Sequence, residues 1–536
     1  MKPFIYDFKR ALFRKATIVT LVLFIVAGLG LTYISAQQMI TGSLSLLYNG
    51  VVLFRLDATS QKLEVVSGVY DNELNPATIE LSLDLLTPVP GSSSDWKTIG
   101  LGSHQLTGET RLEIPVSGGV METPEPGMKI VLKAVLTRVK VGTLDISGLN
   151  ELLPSIPLVN VNNTPVYGGC MFLGSKTSLI PVMIGNERDG FSTINDGCMS
   201  IASAMDRLYL IMGFPQLPVK PLQVYYNVSV AKLTSGTIIT STSIGVVNLT
   251  GMKYLGDISD DMRIYVFPIE LGDVSRYRIL NISWAVVANN SEIRGVSGNV
   301  IVSIGGTARG VITSNISSIG LSLFALLFPV VMLYLGYVLI AKPKSQGALE
   351  FILARPITRV DLYMTRYIAG ILVALTAPLL FIAALYTGVY VVMRVLLSPQ
   401  DLTLFYLGIA GSLVAFYTLC YYIAVEFKGT SYLALAITLY LFFLIGLQIV
   451  GMILAFAIGH TSSIDELIKT QYKLYYFSPL GFMNLVSALV QYNYGVLGET
   501  VLEVVKPEYI VVAFTAWTLI PFIAGLLRFK VKNLSS

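Results

Sequence analysis

Ile319-Gly320-Leu321-Ser322-Leu323-Phe324-Ala325-Leu326-Leu327-Phe328-Pro329-Val330-Val331-Met332-Leu333-Tyr334-Leu335-Gly336-Tyr337-Val338-Leu339-Ile340-Ala341 carries no charged residue. A run of this length covers the ~30 Å of a hydrocarbon core as a helix, the form in which a segment satisfies its own backbone in lipid. Five further stretches, 17–36, 368–392, 402–425, 431–458 and 508–527, read the same way. Composition agrees: 54% of the 536 residues are hydrophobic and 13% charged, against ~25% charged in soluble proteins. A soluble enzyme, a disordered chain, a collagen-like repeat and a disulfide-dense mini-protein are excluded. The first run follows Lys9, Arg10, Arg14 and Lys15 and ends near Ile34-Ser35-Ala36. Its apolar core is too long for a secretory leader, and Ile34 is too large for the −3 position of a cleavage site, so it reads as an uncleaved span.

Between the first two spans the period changes. In Ile79-Glu80-Leu81-Ser82-Leu83-Asp84-Leu85 the odd positions are apolar and the even ones polar, and Val224–Val230 and Leu280–Val286 alternate likewise. Period two marks strands with one buried face, and several at turn-punctuated intervals predict β-sandwich architecture. A Pro/Asn/Gly-rich stretch from Leu153-Pro154 through Asn160 to Gly168-Gly169 predicts a division into two β-domains, 37–155 and 165–314. The expected fold is an α-helical polytopic membrane protein with six transmembrane helices and a large β-sandwich-type extracellular region between helices 1 and 2. Residues 1–36 hold the first span, and 315–536 the other five.

Orientation follows from charge. With a cytoplasmic amino terminus, segments 1–16, 342–367, 426–430 and 528–536 together hold 14 Lys/Arg against 4 Asp/Glu, as the positive-inside rule requires. Segment 37–314 is then outside, with 19 Lys/Arg and 23 Asp/Glu. The expected location is the plasma membrane, multi-pass, with both termini cytoplasmic. Of seven Asn-x-Ser/Thr sequons, the glycosylation candidates are Asn162, Asn227, Asn248, Asn281 and Asn289; Asn315 abuts the second span and Asn533 lies inside. Cys170 and Cys198 are outside and Cys420 is in a span. A Cys170–Cys198 bridge would contribute roughly 3 to 4 kcal/mol by loop closure; two buried free thiols are the alternative.

Catalytic chemistry is sparse. The chain has no Gly-x-x-x-x-Gly-Lys-Ser/Thr phosphate cradle and no Gly-x-Ser-x-Gly elbow, and its two histidines, His104 and His460, are far apart. No metal site and no cofactor are expected on it, and it is not expected to be an enzyme by itself. The span centres are nearly free of ionisable residues, with Asp361, Glu426 and Arg394 near span ends, which disfavours an ion-coupled carrier. Energy is expected from elsewhere.

Two inner segments could receive it. Ile5, Phe8 and Leu12 recur at helical spacing, with Arg10 among the charges around them; this is an amphipathic interfacial helix or a plain positive-inside anchor. The loop 342–367 places Leu349, Ile352 and Leu353 on one helical face, stops at Pro356, and restarts at Thr358-Arg359-Val360-Asp361 with a capping-box-like start. The pattern Gly347-x-Leu349-Glu350-x-x-Leu353-Ala354-Arg355-Pro356-x-x-Arg359, followed by Arg366 and Gly370, resembles the cytoplasmic signature of ABC-2-type transporter permeases. Six spans and an amphipathic amino-terminal helix fit the same resemblance, which covers the first 36 residues and about 319–530.

The resemblance implies a permease subunit of an ATP-driven transporter. ATPase-docking roles are implied for Gly347, Leu349, Glu350, Leu353, Arg355, Pro356, Arg359, Asp361 and Arg366. The implied partners are two ABC ATP-binding subunits, which bring ATP and Mg, a second permease subunit, identical or different, and membrane lipid; nucleic acid is not among them. Ser478-Pro479-Leu480-Gly481 opens a short apolar helix, 478–490, with Ser at the N-cap and Pro at N1. The resemblance makes it re-entrant or interfacial at the outer end. The large insertion departs from the family pattern and leaves the substrate open among lipophilic, peptide and glycan classes. Two other readings are a surface or adhesion protein anchored by its helices, and a machine using the same ATPases to act mechanically on envelope partners.

Overall fold

The computed structural model describes residues 15–42, 44–89, 96–117, 130–160, 165–174, 180–185, 194–204, 207–217, 220–230, 241–271, 279–288, 294–303, 308–349, 358–457, 464–494, 497 and 500–531. The chain divides into two compact units. One, helical, comprises Met1–Ser35, Gly310–Gly388 and Leu397–Ser536; the other, β-rich, comprises Ala36–Arg309 and Val389–Leu396.

The helical unit contains six helices long and apolar enough to cross a membrane: Thr17–Ile40, Leu326–Ser345, Arg359–Met393, Pro399–Glu426, Gly429–Leu454 and Pro507–Val531. In chain order its elements are α1 (Lys15–Gly42), α2 (Ala308–Asn315), α3 (Leu321–Gly336), α4 (Lys342–Ser345), α5 (Arg359–Met393), α6 (Pro399–Glu426), α7 (Gly429–Leu441), α8 (Leu447–Ala457), α9 (Ile464–Tyr475), α10 (Gly481–Asn493), α11 (Thr500–Val504) and α12 (Pro507–Val531). α6 lies centrally, packed by α3, α10 and α12, and buries Phe405, Phe416, Tyr417 and Tyr421 almost completely. Single π turns at Ile316–Gly320, Tyr337–Ala341 and Phe442–Gly446 interrupt the second and fifth long helical segments. Such turns shift the side-chain register and leave local carbonyls open to other donors.

In the β-rich unit, β1 (Tyr48–Asp57), β2 (Lys62–Asp71), β3 (Thr78–Pro88), β4 (Trp96–Pro115), β5 (Ile130–Val141), β6 (Leu144–Leu152), β7 (Ile156–Asn160) and β8 (Val166–Leu173) form an eight-stranded sheet in the order β3-β4-β2-β1-β8-β7-β5-β6. An additional pairing of β3 (Thr78–Pro88) with β5 (Ile130–Val141) closes seven of these strands into a barrel, leaving β6 (Leu144–Leu152) as an outer strand on β5. Ile79, Leu81, Leu83 and Leu85 are fully buried in the barrel. The first half is thus a barrel rather than the expected sandwich, because alternation demands one buried face without specifying how the sheet closes over it.

The remaining strands form a two-sheet sandwich. One sheet joins β9 (Ile180–Gly185), β10 (Ile194–Ala204), β11 (Arg207–Phe214) and β15 (Arg263–Ile269) in the order β15-β11-β10-β9, and the other joins β12 (Leu222–Val230), β13 (Ser241–Val246), β14 (Lys253–Ile258), β16 (Ile279–Ala288) and β17 (Arg294–Ser303) in the order β13-β17-β16-β12-β14. Met199, Leu210, Met212 and Phe214 meet Val224, Ile282, Trp284 and Val286 between them. The outer face of the four-stranded sheet packs on the barrel through Val51, Leu53, Ile211 and Ile264. For this reason β1 is buried on both faces and reads as an unbroken apolar run, Val51-Val52-Leu53-Phe54. β8, which includes Gly168-Gly169 at the end of the Pro/Asn/Gly-rich stretch, returns to pair with β1. Cys170 on β8 is bonded to Cys198 on β10 (Ile194–Ala204), with Cα atoms 5.9 Å apart, so the bridge ties the barrel to the sandwich.

Candidate functional site

The loop-bearing end of the helical unit brings together the amino end of α5, the π turn of the second span and the carboxyl ends of α6 and α12, whose last carbonyls have no partner in their own helix. α5 starts at a capping box: Thr358 Oγ1 accepts the Asp361 N–H at 3.1 Å and donates to Asp361 Oδ2 at 2.6 Å. One residue on, Arg359 Nη1 donates to Lys530 O at 3.0 Å, at the carboxyl end of α12. Lys344 is almost fully buried, and its ammonium donates to Val425 O and, at 3.5 Å, to Glu426 O, the carboxyl end of α6. The Glu426 side chain pairs with Arg528 of α12 at 3.4 Å. Arg366, also buried, donates to Leu339 O in the π turn of the second span. Cations from α4 and α5 thus cap the negative ends of neighbouring elements, where the helix dipole favours them and an open carbonyl in an apolar medium costs several kcal/mol.

Beneath this layer lies a block of aromatic rings. Tyr363 and Tyr367 on α5, and Tyr417 and Tyr421 on α6, sit at i, i+4 spacing and therefore share a helix face. Their rings approach to 5.0–6.3 Å, and Phe522 and Phe529 of α12 join them. The hydroxyls bridge helices: Tyr363 to Phe522 O at 3.0 Å, Tyr421 to Tyr363 O at 2.9 Å, and Tyr417 to Arg366 O at 3.2 Å. Tyr367 and Thr418 hydroxyls meet at 2.9 Å. On the far flank Tyr432 donates to Leu333 O at 2.7 Å. Motion applied to the start of α5 therefore reaches α6 and α12 through short, directional bonds.

The expected docking residues separate into groups. Arg359 and Asp361 sit at this end as described. Gly347 has a left-handed backbone, φ 69°, with open space beside it, and Leu349 is buried. Arg366, another of the implied docking residues, is buried and donates to Leu339 O of the second span. Glu350, Leu353, Arg355 and Pro356 lie outside the described residues, as do Ile5, Phe8, Arg10 and Leu12 of the amino-terminal helix, and Asn162 and Asn289. Sequence reasoning passed over Lys344, Arg528 and the four tyrosines; the paired i, i+4 tyrosines were the signal available. Among the described residues no group of three His, Cys, Asp or Glu side chains could hold a metal ion.

A second feature occupies the opposite half of α6. α9 and α10 form a hairpin whose turn reaches Ser412, midway along α6: Ser412 Oγ accepts the Met483 N–H at 3.0 Å and donates to Leu480 O at 3.3 Å. From there α10 runs antiparallel to α6, passing Gly408 at Val486 and ending where Tyr494 donates to Asp401 Oδ2 at 2.5 Å. The helix begins at Gly481 rather than Ser478, because Ser478 closes a turn first, its carbonyl accepting the Gly481 N–H at 3.0 Å. A β-carbon at Gly481 would lie 1.9 Å from Tyr475 O, so the tight hairpin requires glycine there.

The family model described as ABC-2 family transporter protein matches residues 4–534. The chain belongs to the ABC-2 transporter family. This ABC-2 protein is accordingly a multi-pass membrane protein and the permease subunit of an ABC transporter. Members of the family are membrane subunits that work with ATP-binding subunits and are typically non-catalytic themselves. No curated protein matches the chain.

Proposed function

We propose that this chain is one of two permease subunits of an ATP-driven exporter. Two ATP-binding subunits, carrying ATP and Mg, dock at loop 342–367 of two paired permeases, the second either a copy of this chain or a different one. The observation that carries the reading is the capped layer. Arg359, within the loop and the first residue of α5, is bonded to the end of α12, and both helices are fastened to α6 by tyrosine hydroxyls and an ion pair. A push on Glu350 or Arg355 would move these helices as one body. The 14-to-4 excess of Lys/Arg over Asp/Glu in the four loop-side segments supports a cytoplasmic position for this end, with 37–314 outside. The α9–α10 hairpin, dipping to the middle of α6, then closes the outer half of the pathway as a re-entrant element. Non-helical backbone at such depth is tolerated only where protein or a water-filled cavity covers it. The cargo is a lipophilic, peptide or glycan-type molecule released on the outer side of the membrane.

Charge reversal tests this. Glu350→Lys and Arg355→Glu should leave membrane insertion intact but weaken co-purification of the ATP-binding subunit and lower coupled ATPase activity about tenfold, equivalent to ~1.4 kcal/mol of docking. Wild-type co-purification and transport in both variants would refute docking at this loop. Uptake of cargo into sealed inverted vesicles separates export from a purely mechanical role of the same ATPases.

A further inference from the structure

Three sequons of the β-rich unit lie among the described residues, and their backbones differ in accessibility. Asn281 is half-buried on β16 (Ile279–Ala288), which is paired on one side with β12 (Leu222–Val230) and on the other with β17 (Arg294–Ser303). Asn227 is exposed, but it lies on β12, which β16 holds along one edge, with Ser283 opposite Asn227, and β14 holds along the other as far as Tyr226. Asn248 lies between β13 (Ser241–Val246) and β14 (Lys253–Ile258), in a turn rather than a ladder. Asn248 and Thr250 are both exposed. The Thr250 N–H donates to Asn248 Oδ1 at 3.0 Å, which engages the oxygen and leaves Nδ2 with no partner among the described residues. The turn is pegged down from below: Val247, Leu249 and Met252 pack on Ala285 and Val287, and Met252 N–H donates to Leu249 O at 3.0 Å. Gly251, at φ 79°, has open space around it. A transferase must grip the backbone around its acceptor as well as reach the amide and the hydroxyl two residues on. A ladder strand denies it that backbone, and this turn offers it.

We propose that Asn248 is an N-glycosylation site, modified on the folded chain in preference to Asn227 and Asn281. Asn248 Nδ2 bonds to the anomeric C1 of an oligosaccharide carried on a polyprenyl phosphate or pyrophosphate. The C1–O bond to the carrier breaks, its electron pair leaves on the phosphate oxygen, and one Nδ2 proton passes to the transferase's base. The site rests on the exterior placement of 37–314 proposed above.

The test uses the full chain from its native membranes. Glycopeptide mass spectrometry should find a sugar-mass ladder on the Asn248 peptide, lost entirely in Asn248→Gln and Thr250→Ala and retained in Thr250→Ser. A glycan that survives Thr250→Ala, or an unmodified Asn248 beside a modified Asn227 or Asn281, overturns the proposal. Orientation is read separately by labelling Glu270→Cys on intact cells with a membrane-impermeant maleimide. The native cysteines are silent, since Cys170 and Cys198 are bonded and Cys420 is buried. Labelled protein with a bare Asn248 sinks the site alone; unlabelled protein sinks the exterior placement and the site with it.

Discussion

A β-carbon added at Gly370 would lie 2.0 Å from the Tyr417 ring, and one at Gly525 would lie 2.6 Å from the Tyr363 hydroxyl. Both glycines let a helix backbone come against a tyrosine of the block that links α5, α6 and α12. Tyr417 is completely buried, with its hydroxyl on Arg366 O, and Arg366 in turn holds Leu339 O. Gly370→Ala must therefore displace the ring and the bond behind it, at a cost of about 1–3 kcal/mol for overpacking a filled site. The expected result is a lower melting temperature in detergent, together with weaker coupling of ATPase activity to cargo. A variant that melts with the wild type would show that the ring has room to move. Arg366 and Gly370 were both visible in the sequence as the entry to the third span. Their inward roles were not, because burial belongs to neighbours far away in the chain.

At the scale of elements, the disulfide matters most in the β-rich unit. It joins β8 of the barrel to β10 of the sandwich across a separation of 28 residues, and the cluster of Val51, Leu53, Ile211 and Ile264 surrounds the same junction. By chain entropy, a loop of this size is worth roughly 3 to 4 kcal/mol. Replacing both cysteines by serine should lower the melting temperature and increase trypsin cleavage within 174–198, while the helical unit stays resistant. Equal protection in the serine variant would mean that apolar packing alone holds the junction. The strands themselves were legible: Ile79–Leu85 alternates in the sequence and is buried alternately in the structure. Barrel closure was not, since it depends on β3 meeting β5 and β1 meeting β8 over long sequence separations. The α9–α10 hairpin was half-legible; the short apolar helix was evident, but its depth is set by Ser412 on another helix.

Across the whole molecule, many apolar side chains on the long helices face outward. Val512 and Ile520 on α12 are each 67% exposed and Ile453 on α8 is 60% exposed. In water such surfaces would drive aggregation; in a bilayer they are solvated by lipid or covered by a second permease. Ile520 is near the middle of α12, so Ile520→Lys should impair insertion of the last span by roughly 2.5–3.5 kcal/mol, the translocon-scale value for a central lysine. Glu151→Lys on the exposed strand β6 should insert normally. Full insertion of Ile520→Lys would argue against a membrane-facing α12. The six spans and the family were determined by the sequence alone, because hydropathy and short motifs are local properties that no tertiary contact needs to reveal. Barrel closure, the inward turn of Arg366, the capped layer and the depth of the hairpin were decided only by the tertiary structure. Each depends on which distant carbonyl, ring or strand edge a residue meets, and that information resides in no single segment of the chain.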